Sequence, residues 1–367
     1  MKIPIINFQP LLEATEREWR EYLREFFDRR QFILGPQVAA FEKELAATFQ
    51  AREVVGVGSG TAAIELCLRE AGIDSPKQEV LTSALTAPFT GIGIVTAGCR
   101  LRLADVDPET LLVDPDDAGN RMTKRTAALV PVHLYGQPCN LKKLNKLARS
   151  FRAILIQDAC QAHGAALGGL PFTKFSSHVA YSFYPTKNLG ALGDGGAIAT
   201  SSQKVARRLR SLRDGGRQSD QVAHRKGTNS RLDELQACFL RAFLPKLWEW
   251  NQSRREIAAL YRKYLADCGG IRLLKESEDS VHHLFVIRAD RRDRLREHLA
   301  KHEIGTGVHY PVPLHLMPAF RETGLRRGDL PNSEKACREI VSLPLWPFMV
   351  ENQVLEVVDR IRQFYLR

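Results

Sequence analysis

The 367-residue chain carries a formal net charge of +11, and its length predicts a globular protein of two domains with enough apolar content for both cores. Acidic and apolar residues interrupt its basic stretches, and no zinc finger, basic zipper or RNA-recognition signature is present, so we expect no nucleic-acid partner. Its seven cysteines form no CxxC pair, so we expect neither a disulfide framework nor a structural metal. No apolar run approaches the roughly 20 residues of a membrane span, and the N-terminus lacks a signal peptide's apolar core. We therefore expect a cytoplasmic protein without a membrane segment.

Strands and helices alternate through residues 1–245. The patterns predict, in chain order, a strand at VVGVGS, a helix at TAAIELCLREAG that ends at Gly72, strands at QEVLTSAL, CRLRLADVD and TAALVPVHLYG, a helix at LKKLNKLARSF and a strand at AILIQDA. Such alternation is typical of an α/β fold with a largely parallel sheet. Ligands of such sheets bind at the carboxyl ends of the strands.

The pattern changes after Pro245. The sequence predicts a long amphipathic helix at KLWEWNQSRREIAALYRKYLADCGG, a short strand at VHHLFVIRA and a helix at RRDRLREHLAKH. We therefore predict a large domain at residues 1–245, which includes an N-terminal arm at residues 1–33, and a smaller α+β domain at residues 246–367.

The segment GVGSGTAAIEL places Ser59, Gly60 and Thr61 between a predicted strand and a predicted helix. Free backbone N–H groups and the helix dipole at such a position favour the binding of a phosphate. A tight turn in which Ser59 or Thr61 caps the helix would explain the same residues. The segment also departs from a dinucleotide GxGxxG motif beginning at Gly56, because Thr61 occupies the last glycine position, so it is weak evidence for NAD.

The segment LIQDACQAHGA places Asp158 at the end of an apolar strand. A carboxylate at a buried strand end is costly unless a cation meets it, so we expect a cationic partner. Asp158 could instead be a cap or part of a structural ion pair. If it faces a protonated pyridine nitrogen, the pair keeps that nitrogen charged and the ring an electron sink.

The segment YSFYPTKNLGALGDGGA places Lys187 between a β-prone aromatic stretch and a run of glycines. In a phosphate-binding P-loop the glycines precede the lysine, whereas here they follow it. This order favours a lysine at the end of a short strand that serves as a covalent amine. Lys187 and Asp158 are 29 residues apart, which is enough for a crossover to a neighbouring strand, so both could reach one ligand.

Several segments together give the chain a specific resemblance to one family. They are LGPQVAAFEKELA, GSGTAAIEL, PVHLYGQP, QDACQAHGA, SFYPTKNLGALGDGGA, NSRLDELQA and GTGVHYPVPLHLMPAF, from about residue 34 toward the C-terminus. In this order they resemble nucleotide-sugar aminotransferases of the DegT/DnrJ type, which depend on pyridoxal 5'-phosphate (PLP). The resemblance implies the fold-type I aminotransferase fold, with a large PLP-binding α/β domain around a mostly parallel central sheet and a smaller C-terminal α+β domain.

The resemblance assigns roles around the cofactor ring. Lys187 resembles the residue that bonds covalently to PLP and then moves a proton between the substrate carbon and the cofactor. Asp158 resembles the partner of the pyridine nitrogen. Gln161 resembles a hydrogen-bond donor near the ring hydroxyl, although it could be an ordinary loop residue.

For the cofactor phosphate, the resemblance points to Gly60, Thr61, the hydroxyl of Ser182, and Asn229 reaching across from a second subunit. The role of Asn229 implies a homodimer with shared active sites. Ser182 could instead bond to its own backbone, and Asn229 could cap the helix RLDELQACFLRAFL.

The lysine at position 187 also indicates the reaction. Family members that dehydrate sugars carry a histidine there, so the resemblance implies transamination. In the implied ping-pong cycle, L-glutamate delivers its amino group to PLP, and the group then passes to the ketone of a nucleotide-linked keto sugar. The positive net charge suits such an anionic substrate.

Subgroup resemblances bear on the sugar. Tyr184 and the run KNLGALGDGGA resemble members that act at C3, which implies a 3-keto-(6-deoxy)hexose. His309 and Tyr310, in HYPVPLH, resemble a segment that closes over the sugar. His309 and His315 could also be packing histidines, and metal ligation is not expected because acids and cysteines do not cluster in sequence around them.

The chain departs from the family pattern at Ala87, where the family usually places an aromatic side chain that stacks on the cofactor. Phe89 follows two residues later, on the same side if the segment is extended, but displaced by roughly 7 Å at ~3.3 Å per residue. We therefore hypothesise that Phe89 or another group replaces the stack, or that Asp158 and the phosphate site chiefly hold the ring.

Three other functions stay open. The chain could aminate a sugar at C4, aminate a cyclitol such as an inosose with the same fold, or be a PLP-binding regulator without turnover. The intact set of Lys187, Asp158 and Gln161 argues against the regulator.

Overall fold

A mostly parallel β-sheet forms the centre of the N-terminal part of the chain in the computed structural model, which describes residues 2–366. Its strands are β1 (Glu53–Val57), β2 (Glu79–Ser83), β3 (Arg100–Ala104), β4 (Thr126–Val130), β5 (Ile154–Leu155), β6 (Gln157–Asp158), β7 (Val179–Ser182) and β8 (Gly196–Thr200). The five strands predicted from the sequence correspond to β1 through β4 and to the combined β5 and β6.

Strands β5 and β6 are successive halves of one segment that joins two four-stranded groups. β5 pairs with β4, and β6 pairs with β7. The N–H groups of Ile156 and Asp158 donate to the carbonyls of Leu129 and Pro131, each at 3.0 Å, so the ladder continues across the break. The order is thus β1-β8-β7-β6/β5-β4-β2-β3, with β8 antiparallel to both neighbours and the other described pairings parallel. The predicted α/β fold is confirmed, and the carboxyl ends of β2, β6 and β7 share one edge.

Alternate strand residues enter two hydrophobic cores, one on each face of the sheet. Val54 and Leu81 belong to one core, whereas Val55 and Val80 belong to the other. Successive side chains of a strand point to opposite faces. Burial of both faces therefore explains why these strands are continuous apolar runs in the sequence.

Helices pack on both cores. They are α1 (Gln9–Glu13), α2 (Glu16–Arg29), α3 (Pro36–Thr48), α4 (Gly60–Glu70), α5 (Pro88–Thr96), α6 (Pro115–Arg121), α7 (Leu141–Ser150), α8 (Gln203–Leu212) and α9 (Glu234–Phe243). The predicted helix α7 shows how the sequence specifies them: Leu141, Leu144 and Ala148 form its buried face at helical spacing, and the Asn140 side chain caps it by accepting from the Lys143 N–H.

The C-terminal part is a smaller α+β arrangement, as predicted. Its elements are α10 (Leu247–Leu265), β9 (Ile271–Leu273), β10 (Phe285–Ala289), α11 (Arg292–Lys301), α12 (Pro331–Glu339), β11 (Ile340–Leu343) and α13 (Glu351–Tyr365). The three strands form an antiparallel sheet in the order β11-β10-β9. Tyr261 and Phe285 stack in its core at 4.9 Å between ring centroids, and Ile3 from the start of the chain packs in the same core.

Helix α10 joins the two parts of the chain. Leu247 and Trp250 belong to a core of the N-terminal part, whereas Ile257 and Tyr261 belong to the C-terminal core. The domain boundary at residue 245 stays a prediction. Within residues 2–366, no helix combines the length and the apolar character needed to cross a bilayer.

The segment after β2 is helical rather than extended. Helix α5 begins at Pro88 with Ala87 as its N-cap residue. Proline suits the first helical position because its missing N–H would have no intrahelical partner there. The condition for the offset of Phe89, an extended segment, is therefore not met: Phe89 lies in the first turn of α5, where it is 60% exposed.

Candidate active site

Lys187 lies in a tight turn between β7 and β8. Its N–H donates to the Tyr184 carbonyl at 2.9 Å. A Cβ atom at Gly190 would stand 2.2 Å from the Pro185 carbonyl oxygen, so the backbone passes too closely there for any side chain. The glycine-rich stretch thus closes the turn and fixes the lysine at the carboxyl end of β7.

The Lys187 amine has no hydrogen-bond or salt-bridge partner among the side chains of residues 2–366. Burial lowers the pKa of this amine below its usual 10.5, and the nearby Cys160 and Asp158 partly offset that effect. Desolvation disfavours the charged form, so the amine is more often neutral than a solvated lysine and is a better nucleophile.

Asp158 ends β6, the strand beside β7, and the residue is only 4% exposed. Its Oδ2 accepts from the Thr90 hydroxyl at 2.7 Å, and its Oδ1 accepts from the Cys160 N–H at 3.1 Å. The cationic partner expected from the sequence is not supplied as an ion pair by any residue within 2–366. The carboxylate therefore has neutral donors, and a cation on a bound molecule could pair with it.

Gln161 connects the sheet edge to the C-terminal part of the chain. Its Oε1 accepts from the Tyr135 N–H at 2.8 Å, and its Nε2 donates to the Tyr310 hydroxyl at 3.1 Å. The Tyr135 hydroxyl in turn donates to the His309 carbonyl. Gln161 is thus fixed in place and is more than an ordinary loop residue.

His309 and Tyr310 are brought to the site together. The Nδ1 atom of His309 is 2.8 Å from the Ser342 hydroxyl oxygen. Burial, with a contribution from Lys187, lowers the pKa of His309 to about 4, so its ring is neutral at neutral pH. Burial raises the pKa of Tyr310, so its phenol stays protonated. Both side chains can therefore form hydrogen bonds as neutral groups.

Gly60 begins α4 directly against Ser182 at the end of β7. A Cβ atom at Gly60 would lie 2.6 Å from Ser182 Cβ and 2.7 Å from Cys160 Sγ, so only glycine fits. The Ser59 side chain accepts from the Ala62 N–H at 3.1 Å and caps the helix, as one interpretation of the sequence expected. Capping at Ala62 leaves the first N–H groups of the helix, at Gly60 and its neighbour Thr61, able to meet an anion.

The hydroxyl of Ser182 has a local backbone bond. Its Oγ accepts from the Tyr184 N–H at 3.3 Å, which matches the alternative role considered for this serine. The hydroxyl proton is not used in that bond, so Ser182 can still donate to a phosphate oxygen. Tyr184 itself is 53% exposed.

Asn229 lies outside this group on the surface. Its neighbour Ser230 accepts from the Gly58 N–H at 3.0 Å, and Asn229 lines a surface cavity of about 480 Å³ together with Ser59. The alternative role of Asn229 as a helix cap is wrong, because Asp233 is the N-cap residue of α9.

Sequence reasoning missed three residues of the site. Thr90 bonds to Asp158, Thr86 lies beside Thr90, and Tyr135 bonds to Gln161. The proline at position 88 could have indicated the start of a helix and hence the direction of Thr90. No local pattern identifies Tyr135, since its role depends on which strand neighbours which.

The site residues fit the cofactor that the resemblance implies. A desolvated amine suits a covalent bond to an aldehyde, a buried carboxylate without an ion-pair partner suits a protonated ring nitrogen, and a helix start that admits only glycine suits a phosphate. Within residues 2–366 no cluster of three or more histidine, cysteine, aspartate or glutamate side chains could hold a metal ion.

Comparisons with known proteins identify one family along nearly the whole chain. The model of the DegT/DnrJ/EryC1/StrS aminotransferase family matches residues 13–362. The dTDP-3-amino-3,4,6-trideoxy-alpha-D-glucose transaminase of Streptomyces venezuelae is 39% identical over 99% of this chain and 96% of its own length. A protein of Geobacillus stearothermophilus named as a pleiotropic regulatory protein is 38% identical over 100% of this chain and 99% of its own. The X-ray structure of S. venezuelae DesV in complex with a ketimine intermediate superimposes with a TM-score of 0.96 at 39% identity, covering 100% of this chain and 99% of that one.

Proposed function

We propose that this chain, which belongs to the DegT/DnrJ/EryC1/StrS aminotransferase family, moves an amino group from L-glutamate to C3 of a nucleotide-linked 3-keto-(6-deoxy)hexose. It is a sugar aminotransferase that depends on PLP. The donor, the position of the ketone and the ping-pong order are our proposals. The cytoplasmic location expected from the sequence stays a prediction.

The proposal is carried by one observation: a desolvated lysine amine lies near a buried carboxylate that has no ion-pair partner within residues 2–366. Bound PLP supplies an electron sink for the carbon that loses a proton. Asp158 holds a proton at the pyridine nitrogen. Lys187 takes the proton from the carbon that carries the donor's amino group and, in the second half of the cycle, delivers a proton to the sugar carbon that receives it.

The remaining site residues hold the two substrates and the cofactor. Gly60, Thr61 and Ser182 present N–H and O–H donors to the cofactor phosphate. His309 and Tyr310 contact the sugar as neutral hydrogen-bonding groups, since burial keeps both uncharged at neutral pH. A site that matches hydroxyl groups with fixed polar atoms distinguishes isomers that place those groups differently.

Two features support amination at C3. The Tyr184 position and the glycine-rich run after Lys187 resemble members that act there, and the S. venezuelae relative is named for a dTDP sugar aminated at C3. The name of that relative also makes a deoxythymidine diphosphate sugar the first acceptor to test.

The purified protein, supplied with PLP and L-glutamate, is expected to aminate a dTDP-3-keto-6-deoxyhexose with a kcat/KM at least about tenfold above that for the 4-keto isomer, because buried polar groups left unpaired by the wrong isomer cost about that factor or more. Mass spectrometry of the amino sugar and enzymatic determination of 2-oxoglutarate measure both products.

Reactions without an amino donor, and with D-glutamate, serve as controls for this assay. Equal or better use of the 4-keto isomer would contradict C3 specificity. Amination of an inosose together with inactivity on every nucleotide sugar would replace the acceptor class, and a strong preference for another amino acid would replace L-glutamate.

We further propose that the active unit is a homodimer. Apolar side chains next to the site residues in sequence are exposed, including Phe89 at 60% and Leu192 at 43%. Ile33, which is 45% exposed, lines the cavity shared by Asn229 and Ser59. Exposed apolar surface of this kind marks a contact region, and a second subunit placed there would let Asn229 reach the partner's phosphate site.

Asn229→Ala is expected to weaken PLP binding about tenfold, since it removes a hydrogen bond to a charged group. Dimers that combine one Lys187→Ala subunit with one Asn229→Ala subunit are expected to regain one native site, with the wild-type affinity for PLP. Differently tagged subunits, co-expressed and purified through both tags, permit the measurement.

If Asn229 instead serves its own subunit, the mixed dimer keeps the weakened affinity of the Asn229→Ala homodimer. That result would contradict the shared site, as would a monomer of full activity in gel filtration. Wild-type affinity of the Asn229→Ala homodimer would remove the residue from the phosphate site.

The Geobacillus relative supplies a second candidate function, because its name describes a regulator. A PLP-binding regulator needs no proton transfer, whereas the buried amine of Lys187 and the buried carboxylate of Asp158 support transamination. Turnover in the assay above decides between the two functions.

A further inference from the structure

Two buried threonines, Thr86 and Thr90, form a hydrogen-bonded pair that ends on Asp158 and is called the threonine pair below. The Thr90 hydroxyl donates to Asp158 Oδ2 at 2.7 Å, and the hydroxyl oxygens of Thr86 and Thr90 are 3.1 Å apart. Thr86 is 1% exposed and Thr90 2%. The threonine pair is therefore shielded from water and contacts the carboxylate on the side of helix α5.

The chemistry of the groups decides which one donates in each hydrogen bond of the threonine pair. A carboxylate only accepts hydrogen bonds, so the single hydroxyl proton of Thr90 is used toward Asp158. The bond between the two threonines then needs Thr86 as its donor. Both hydroxyls therefore donate in the direction of Asp158, and consecutive hydrogen bonds of this kind polarise one another.

We propose that Thr86 and Thr90 are positioning residues that hold Asp158 as an oriented carboxylate, with its free lone pairs toward the pyridine nitrogen of PLP. Hydrogen bonds to a charged group favour the charged form. Oδ2 is fixed by Thr90 and Oδ1 by the Cys160 N–H, so the carboxylate cannot turn away from the ring. The threonine pair thereby offsets part of the cost of burying the Asp158 charge, which has no ion-pair partner among residues 2–366.

The helix start at Pro88 makes this arrangement possible. Thr86 precedes the N-cap residue and Thr90 lies in the first turn of α5, four residues later, which brings the two hydroxyls together. The departure from the family at Ala87 lies between them. In this chain the segment therefore acts on the ring through Asp158, whatever group covers the face of the ring.

This inference rests on the proposed pairing of Asp158 with the cofactor, so its test uses a probe that lacks the pairing. The probe is an analogue of PLP in which carbon replaces the ring nitrogen. Dissociation constants for PLP and for the analogue are measured with the full-length protein after removal of PLP, by equilibrium dialysis. The ratio of the two constants reports the interaction at the ring nitrogen alone.

Wild type is expected to bind PLP more tightly than the analogue, and Thr90→Val is expected to reduce that preference about tenfold, the effect of one hydrogen bond to a charged group. Thr90→Ser keeps the hydroxyl and should restore the preference. Thr86→Val acts through Thr90 and should reduce the preference in the same direction by a smaller factor.

Thr82→Val is the matched control. Thr82 is fully buried on β2 and donates to the Val130 carbonyl at 2.7 Å, so its loss should leave the ratio unchanged. A wild-type preference that persists unchanged in both Thr90→Val and Thr86→Val would overturn the role of the threonines and leave the Asp158 pairing intact. Equal binding of PLP and the analogue by wild type would overturn the pairing itself and the inference with it. If Thr90→Val does not fold, Thr86→Val decides alone.

Discussion

Lys187→Ala is expected to lower the rate of amino-sugar formation by about 10⁴-fold or more, because one residue serves both as the covalent amine and as the proton carrier. Burial lowers the pKa of this amine, which favours the neutral, nucleophilic form. The rate is measured in the steady state with L-glutamate and a nucleotide-linked keto sugar. The visible absorption band of lysine-bound PLP should be missing in the variant.

Two further lysine variants separate chemistry from charge. Lys187→Arg keeps a cation in the site but cannot bond to the cofactor, so it should be as inactive as Lys187→Ala. Lys174→Ala changes an exposed lysine and should leave the rate unchanged. Substantial activity in Lys187→Arg would show that position 187 contributes only its charge, and would contradict the covalent role.

The fold could be predicted where the pattern along the chain is local. Strands β2 and β4 are apolar runs bounded by polar residues, and α7 has apolar residues at helical spacing, so each shows its own type. Helix α5 does not, because Gly91, Gly93 and β-branched residues give its sequence a low helix propensity. Its packing explains it: a Cβ atom at Gly91 would lie 2.9 Å from the Phe320 ring, and one at Gly93 would lie 2.9 Å from the Thr61 carbonyl.

The site residues also differ in whether a local sequence pattern predicts them. Lys187, Asp158 and Gly60 could be found because Lys187 follows a strand, Asp158 ends one and Gly60 begins a helix, and parallel strands place such positions at one edge. Tyr135 and Thr90 could not, since they act through contacts that depend on the order of the strands and on the start of α5. Among residues 2–366 the side chain of Asn229 forms no hydrogen bond with the site residues, so its proposed role requires a second copy of the protein.

Asp158→Asn is expected to weaken PLP binding by about 10²-fold and to lower kcat by a similar factor, since it leaves a buried cation on the ring nitrogen without its counter-charge. Asparagine has the same shape, and its amide oxygen can accept from the Cys160 N–H while its amide NH2 donates to the Thr90 hydroxyl oxygen, so the fold should be retained. Equilibrium dialysis gives the affinity, and the steady-state assay with L-glutamate and a keto sugar gives kcat.

Asp105 provides the matched control for this substitution. It is another buried carboxylate, 5% exposed, but it accepts from four donors: the Val106, Asn332 and Ser333 N–H groups and the Ser333 hydroxyl. Three of these donors belong to the first turn of α12, whose dipole favours a negative charge, so Asp105→Asn should lower the free energy of unfolding and leave the PLP affinity unchanged. Asp158 has only two neutral donors, and neither its Thr90 donor nor its Cys160 donor is a backbone N–H group at the N-terminus of a helix. Its negative charge is therefore less compensated by the protein than that of Asp105, and a cationic ligand would stabilise it. Equal losses of PLP affinity in both variants would trace the effect to a damaged fold and contradict the pairing of Asp158 with the cofactor.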